Sequence, residues 1–369
     1  MINLSDITIL VNGKVEEETK FVLNNIRQLL PDSKIILSTW KNSDITGLDF
    51  DILVESELVE AKIFNAPENA TIDAEGFAIF NINGREFRNQ PKPNNVNRII
   101  QTIQAGIKKV ETKYLLRIRT DLMLKNLNFL KYWDKFEKYN GKYKIFEHRI
   151  INDSSFAQFA HVMKDGIQLL PFHMSDWLHF GLTEDIKLLY SCPFQNLEDS
   201  SQYWYKRERK QYEPFPDAGW QNPPETYVLY SLVKKHFPEV QFKDSDDYNK
   251  ENMQISHKVI ADNFIMIDDE DFKFTLTKYP KLKMWVSEIY NGFITHREWQ
   301  YLYKIYCDKS YKFIDIDFKR FRYFNNIWNL AFLLKYPRRY CQLFSDFKLI
   351  FNKKKLREKF FIGVDSEKN

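Results

Sequence analysis

Residues 7–39 read ITILVNGKVEEETKFVLNNIRQLLPDSKIILST, and this stretch decides the fold class. Ile7 to Val11 is a short β-branched and apolar run closed by Asn12-Gly13, the composition of a buried strand that ends in a turn. Val22, Leu23, Ile26, Leu29 and Leu30 then fall at helical spacing, and Pro31-Asp32-Ser33 stops the helix. Lys34 to Thr39 repeats the strand signal, and Asp51 to Val54 adds a third strand. Strand, helix, strand in that order is the βαβ unit of a parallel sheet.

Working outward, residues 56–94 hold Gly76, Gly84, Pro91 and Pro93, and are expected to form a loop-rich insertion. A helix follows, with Asn94 or Asn95 placed to cap it and Val96, Ile99, Ile100, Ile103, Ile107 and Val110 in one apolar stripe. Lys113 to Arg119 is the next strand. Side chains alternate along it, so Leu116 and Ile118 point one way and Arg117, Arg119 and Asp121 the other. Phe172 to Phe180 is a further apolar segment, and Thr183 is placed to cap a helix from Glu184 to about Cys192. Residues 193–222 read as a long loop. Pro223-Pro224 opens a helix with core face Val228, Leu229, Leu232 and Val233, ending near His236. Past residue 240, the acidic runs Asp244–Asp247 and Asp268–Asp271 suggest turns between short strands.

At 369 residues, 44% hydrophobic and 28% charged, the chain has room for a core of ordinary size and for an appendage beside it. Cys192, Cys307 and Cys341 lie far apart without a CxxC spacing, which reads as reduced thiols and excludes a zinc cluster or disulfide framework. No window approaches the roughly 18 to 20 apolar residues of a spanning helix, and Met1 to Asp6 lacks a secretory signature. A cytoplasmic protein is expected. The eleven glycines are too scattered for GxGxxG or a P-loop, and no HExxH, GxSxG or EF-hand pattern occurs.

The net charge of +4 conceals an asymmetry. Lys319 to Lys359 carries twelve Lys or Arg against Asp346 and Glu358, net +10, leaving 42 basic against 48 acidic residues elsewhere. The expected division is therefore a body over 1–293 and a helical, basic and aromatic region over 294–369. Trp299, Tyr303, Trp328 and Tyr336, interleaved with cations, suit the surface of an anionic membrane. A solvated basic face on a packed helical subdomain is the plainer use, and nucleic-acid binding is the third.

In an α/β sheet the ligand site lies at the carboxyl ends of the strands. The polar residues there are Asn12, Gly13, Ser38, Thr39, Trp40, Arg117, Arg119 and Asp121, with Asn97 and Arg98 at a helix start. Two arginines on one strand face beside a helix N-terminus suit a diphosphate, and an aspartate among them suits a bridging divalent cation. Each also has a plainer use: Arg119 and Asp121 as an ion pair, Asn97 and Arg98 as a solvated first turn, and Trp40 as a rim aromatic.

Ile35-Ile36-Leu37-Ser38-Thr39-Trp40, Asn95-Val96-Asn97-Arg98, Lys113 to Leu122, Ser175-Asp176-Trp177, Phe180-Gly181-Leu182-Thr183 and Pro224-Glu225-Thr226-Tyr227 together resemble the WavE lipopolysaccharide synthesis family. The resemblance implies a GT-A-like, Rossmann-type mixed α/β sheet flanked by helices. It also implies glycosyl transfer from a nucleotide sugar to a growing lipopolysaccharide or capsule chain, with a glycan or lipid-linked glycan as acceptor. Enzymes of that fold commonly carry Asp-x-Asp after the long helix. Here the place reads Arg119-Thr120-Asp121, so Mn2+ or Mg2+ is expected on Asp121 only if the reaction uses a metal. Asp49-Phe50-Asp51 spells the motif, but ahead of a strand. For sugar transfer, Arg98, Arg117 and Arg119 would stabilise the leaving diphosphate, and Asp176, then Glu225 and His179, are the candidate bases. A non-catalytic polysaccharide-assembly subunit is the alternative, with nucleic acid a less favoured partner.

Overall fold

The computed structural model describes residues 2–58, 70–74, 78–82, 85–89, 95–163, 166–196, 198–207, 220–247, 249–268, 274–276 and 292–313. The opening reading holds: β1 (Ile7–Asn12), α1 (Thr19–Leu29), β2 (Ile35–Trp40) and β3 (Ile52–Ser56) follow in that order. Residues 56–94, expected to be loop-rich, instead contain β4 (Thr71–Ile72), β5 (Ala78–Ile82) and β6 (Arg85–Asn89) in a three-stranded antiparallel sheet. Then come α2 (Asn95–Ile107), β7 (Tyr114–Arg119), β8 (Leu122–Leu124), β9 (Ile150–Asp153), β10 (Ala160–Met163), β11 (Gly166–Leu169) and β12 (Leu178–Leu182). The chain continues through α3 (Thr183–Leu189), α4 (Pro224–His236), α5 (Lys250–Asn263), β13 (Phe264–Ile267), β14 (Phe274–Leu276) and α6 (His296–Tyr306).

Seven strands form the central sheet in the order β13-β9-β12-β7-β1-β2-β3. β12 runs against its neighbours β7 and β9, while the other pairings are parallel. The fold is thus a mixed α/β sheet flanked by helices. Every residue of β1 is buried, as a central strand covered on both faces must be. α2 packs on β1, β2 and β3, α3 on β7 and β12, and α5 with α6 on β13. Val96, Ile100, Ile103 and Ile107 form the buried stripe of α2, each contributing about 1.5–3 kcal/mol of apolar transfer free energy. Gly106 sets how closely that helix lies: a Cβ there would fall 2.3 Å from Leu10 Cδ1 and 3.1 Å from Ser38 Cβ.

Two local expectations change. Thr183 does not cap α3; its hydroxyl donates to the Thr112 carbonyl at 2.8 Å, tying the helix start to the loop before β7. The region past residue 240, expected to be turns between short strands, holds the fourteen-residue helix α5, capped by Asn249, whose side chain accepts from the Asn252 amide at 2.8 Å. α6 packs Trp299, Leu302 and Tyr303 into the main core, where Phe136 meets the Trp299 ring at 4.6 Å. Among the described residues no helix is long and apolar enough to cross a membrane. The basic run from Lys319 onward lies outside the described residues.

Candidate active site at the carboxyl edge of the sheet

The register places the ends of four strands together. Asn12 pairs with Arg119, Ile118 with Leu178 at the start of β12, and Asp153 with Ile267. Because β12 is antiparallel, its entry turn, Ser175-Asp176-Trp177, arrives at the edge where β1, β7, β9 and β13 finish. A cavity of about 380 Å³ opens there, within the roughly 300–1,000 Å³ of small-molecule sites. Arg119, Asp176 and Glu225 line it, with Trp177, His173 and the first residues of α2 and α4. Residues some 50 positions apart in sequence are thereby brought to one site.

The turn carrying Asp176 is held by a buried acid that the sequence analysis did not single out. Asp153 accepts from Ser175 Oγ at 2.9 Å, from the Leu178 amide at 3.2 Å and from the Ser155 amide at 3.0 Å. Burial outweighs these bonds and pushes its carboxyl up to about 7. Arg117 braces the same turn from below. It is 1% exposed, donates through Nε to Asn12 Oδ1 at 2.6 Å, and donates through Nη1 to the Asp176 carbonyl oxygen. Asn12 in turn donates to Thr102 Oγ1 at 3.0 Å. Asn12 and Arg117, expected to touch the donor, are therefore buried struts behind the cavity wall.

Arg119 lies in the wall itself. Its Nε and Nη2 donate to the two carboxylate oxygens of Asp121, both at 2.8 Å, and its guanidinium lies 5.7 Å from the Trp177 ring centroid. This is the ion pair foreseen as the plainer reading. It also decides how well a cation fits: a divalent ion on Asp121 would have to share both oxygens with a guanidinium. Among the described residues no group of three or more His, Cys, Asp or Glu is arranged to hold a metal. The residues present do not fit one. Asp49 and Asp51 both bind Arg27, at 3.1 and 3.0 Å, as a surface clamp on β3.

Glu225, in the first turn of α4, lies 4.0 Å from His173 Nε2. Desolvation first, and the Asp176 charge second, push its carboxyl up to about 8. At neutral pH one wall of the cavity thus offers a protonated acid beside Asp176. Phe156 (φ 60°) and Phe172 (φ 58°) hold left-handed backbone in the two loops around the cavity, a strain of about 1–3 kcal/mol each that concentrates at functional sites.

The other expected residues fall elsewhere. His179 is buried on β12 beside Tyr190, with Nδ1 3.4 Å from the phenol oxygen, and burial lowers its pKa well below the ordinary value; it does not face the cavity. Asn97 clamps the backbone of Gln195, accepting from its N–H and donating to its carbonyl at 2.8 Å each. Thr39 is buried against Ser43 at 3.2 Å, Trp40 is half-buried at the end of β2, and Arg98 is half-buried on the first turn of α2. Gly13 turns the chain out of β1 at φ 131°, where a Cβ would stand 3.1 Å from Thr120 Oγ1. Gln158, Gln168 and Asn222 also line the cavity, although no charge or motif marks them in the sequence.

A mixed α/β sheet with an acid-bearing cavity at its carboxyl edge is the class of molecule these features define. The WavE lipopolysaccharide synthesis model matches residues 7–73 and 80–336, and the chain belongs to that family. No curated protein matches it. Among solved structures it is similar to a Bacillus anthracis protein assigned as a glucose-1-phosphate thymidylyltransferase, in complex with sucrose. That likeness has 9% identity and a TM-score of 0.26, covering 65% of this chain and 98% of that one. It is also similar to HddC from Yersinia pseudotuberculosis, at 10% identity and a TM-score of 0.23, covering 49% of this chain and 78% of that one. Both scores are too low to bear on chemistry.

Proposed function

We propose that this protein is a glycosyltransferase that moves a sugar from a nucleotide-sugar donor to a growing bacterial surface polysaccharide, lipopolysaccharide or capsule. The observation that carries the reading is the meeting of Arg119, Asp176 and Glu225 in one cavity at the sheet's carboxyl edge. Membership of a lipopolysaccharide synthesis family supplies the biological setting.

In this reading the acceptor hydroxyl oxygen bonds to the anomeric carbon as the bond from that carbon to the diphosphate breaks. Asp176 takes the hydroxyl proton, and the diphosphate leaves with the electron pair. Arg119 and the α2 amino end, whose Asn95 and Val96 reach the cavity, oppose the charge that develops on it. Glu225, protonated at neutral pH, donates a hydrogen bond to a sugar oxygen. Asp153 and Arg117 hold Asp176 in place from behind.

Calorimetric titration of the full chain with UDP, GDP, dTDP and their sugar conjugates tests the donor half. One nucleotide series should bind saturably, and Arg119→Ala should weaken it about 10- to 150-fold, the equivalent of a charge-assisted contact worth roughly 1.5–3 kcal/mol. Absence of binding across the series would overturn the reading.

A further inference from the structure

His173 stands behind Glu225, away from solvent, and the transfer chemistry proposed above gives it no task. Its Nε2 lies 4.0 Å from Glu225 Oε2, with the His173 side chain 4% and the Glu225 side chain 22% exposed. The fold keys the two together. Phe172, at φ 58°, donates its N–H to Ser256 Oγ on α5 at 2.7 Å, and its ring meets Tyr230 of α4 at 5.5 Å and Phe242 at 5.6 Å. The His173 carbonyl accepts from the Gln158 N–H at 3.3 Å. The loop that carries His173 is thus braced on α4, whose first turn carries Glu225. Asp176, three residues on in the same loop, lines the cavity with Glu225. Asp153, pushed up to about 7, accepts from Ser175 in that loop, and Arg119 on β7 is held by Asp121. From α5 the titratable group is His257, which burial lowers to about 3, so it brings no charge at neutral pH.

Three proton arrangements are open to the pair. An imidazolium facing a carboxylate would bury a cation and set a second negative charge beside Asp176, the two penalties that already push Glu225 up to about 8. A neutral imidazole with a bare Nε2 would draw the Glu225 proton onto Oε2, back toward the histidine. A neutral imidazole with Nε2–H instead donates to Oε2, and the Glu225 proton then sits on the other oxygen. The ring nitrogens are distinct, an unconstrained imidazole favours the proton on Nε2, and Nε2 is the nitrogen nearest Glu225. We propose that His173 is a positioning residue, whose Nε2–H donates to Glu225 Oε2 and so keeps the Glu225 proton on Oε1, where it can hydrogen-bond a substrate. The partly exposed Glu225 side chain closes the 4.0 Å separation as substrate binds, a tightening common in catalytic sites. The inference rests on the reading of Glu225 as a hydrogen-bond donor in sugar transfer and adds a residue to it.

NMR on the full chain, labelled with 15N-histidine and 13C-glutamate, tests the pair without any substrate. The His173 signals are assigned by their loss in His173→Gln, and the Glu225 carboxyl by its loss in Glu225→Gln. At pH 7 His173 should be neutral with its proton on Nε2. A hydrogen bond to the ionised carboxyl favours that form, so His173→Leu should move the Glu225 midpoint upward by about half a pH unit or more. His173→Gln, whose amide N–H reaches about as far, should move it back. A bare Nε2, a doubly protonated ring, or a Glu225 midpoint unmoved in folded His173→Leu would overturn the proposal. In turnover of nucleotide sugar, His173→Leu should cost about tenfold with nucleotide affinity within twofold, and His173→Gln should recover most of the loss. Should His173→Leu fail to fold, the wild-type tautomer and the His173→Gln midpoint decide the matter in its place. The expected tautomer and midpoint shifts, with no nucleotide sugar turned over, would keep the pair and remove the transfer reading. Turnover undiminished in folded His173→Leu would remove the pair and keep the transfer reading.

Discussion

In the proposed reading Asp176 and Glu225 share a cavity but not a task, and their substitutions should separate. Asp176→Asn removes the proton acceptor and should lower turnover about 10²–10⁴-fold while nucleotide affinity stays within twofold; equal turnover would move the base elsewhere. Glu225→Gln mimics the protonated acid and should cost much less, about tenfold or below. The pH profile carries the sign of the same argument. Glu225 holds its proton up to about 8 in the fold, against an ordinary value of 4.5, so the folded state binds more protons than the unfolded state between those limits. Stability from this group is full below the unfolded value and is lost as pH rises through about 8. Activity that needs the protonated form should fall over the same upper limb. Glu225→Gln should flatten both, and a wild-type melting curve that does not weaken from pH 6 to pH 9 would contradict the assignment. At this scale strand alternation led to Arg119, the resemblance motifs Ser175-Asp176-Trp177 and Pro224-Glu225-Thr226-Tyr227 led to Asp176 and Glu225, and the fold brings the three to one cavity. It was silent on Gln158, Asn222 and Ser245, because a neutral amide or hydroxyl carries no signature until the fold buries it.

Among the elements, the turn between β11 and β12 does the positioning. Asp153 accepts from Ser175 and Leu178, so Asp153→Asn puts an amide where two acceptor contacts are needed. The expected result is a loss of turnover of about tenfold or more with little change in nucleotide affinity; a matched loss in both would point to general unfolding. The Arg119–Asp121 pair makes a second prediction. With both Asp121 oxygens engaged, EDTA should change turnover by less than twofold, and a large loss restored by Mn2+ would show that the pair opens for a cation. The βαβ start was readable from periodicity because β1, α1 and β2 are conventional apolar elements. α5 was not. Its buried face includes Asn252, Ser256, Asp262 and Asn263, with Asp262 binding the Asn140 and Gly141 amides and Asn263 binding those of Ile145 and Phe146. Polar side chains that serve as clamps dilute the apolar stripe by which a helix is recognised. The small sheet β4–β6 was hidden for a related reason: its strands run only two to five residues among glycines and prolines.

For the whole molecule, the charge asymmetry of the sequence motivates a proposal that one experiment can test: nucleotide binding in the body and attachment to an anionic surface through the basic run. Truncation after Phe313 removes the +10 run and keeps α6, whose Trp299 and Leu302 are part of the main core. The shortened protein should retain nucleotide binding and lose sedimentation with anionic liposomes, since each near-surface cation is worth up to about 1 kcal/mol. Aggregation of the shortened form would instead assign the removed segment to the core. The central claim is that sugar transfer takes place in the cavity at the carboxyl edge of the sheet. Its most direct test is nucleoside diphosphate release, measured by mass spectrometry, from a panel of nucleotide sugars incubated with lipopolysaccharide acceptor. The full chain should release one diphosphate with acceptor-dependent turnover, and folded Asp176→Asn should bind the same donor but release about a hundredfold less. Release that is undiminished in Asp176→Asn, or no acceptor-dependent release from any nucleotide sugar, would contradict the account.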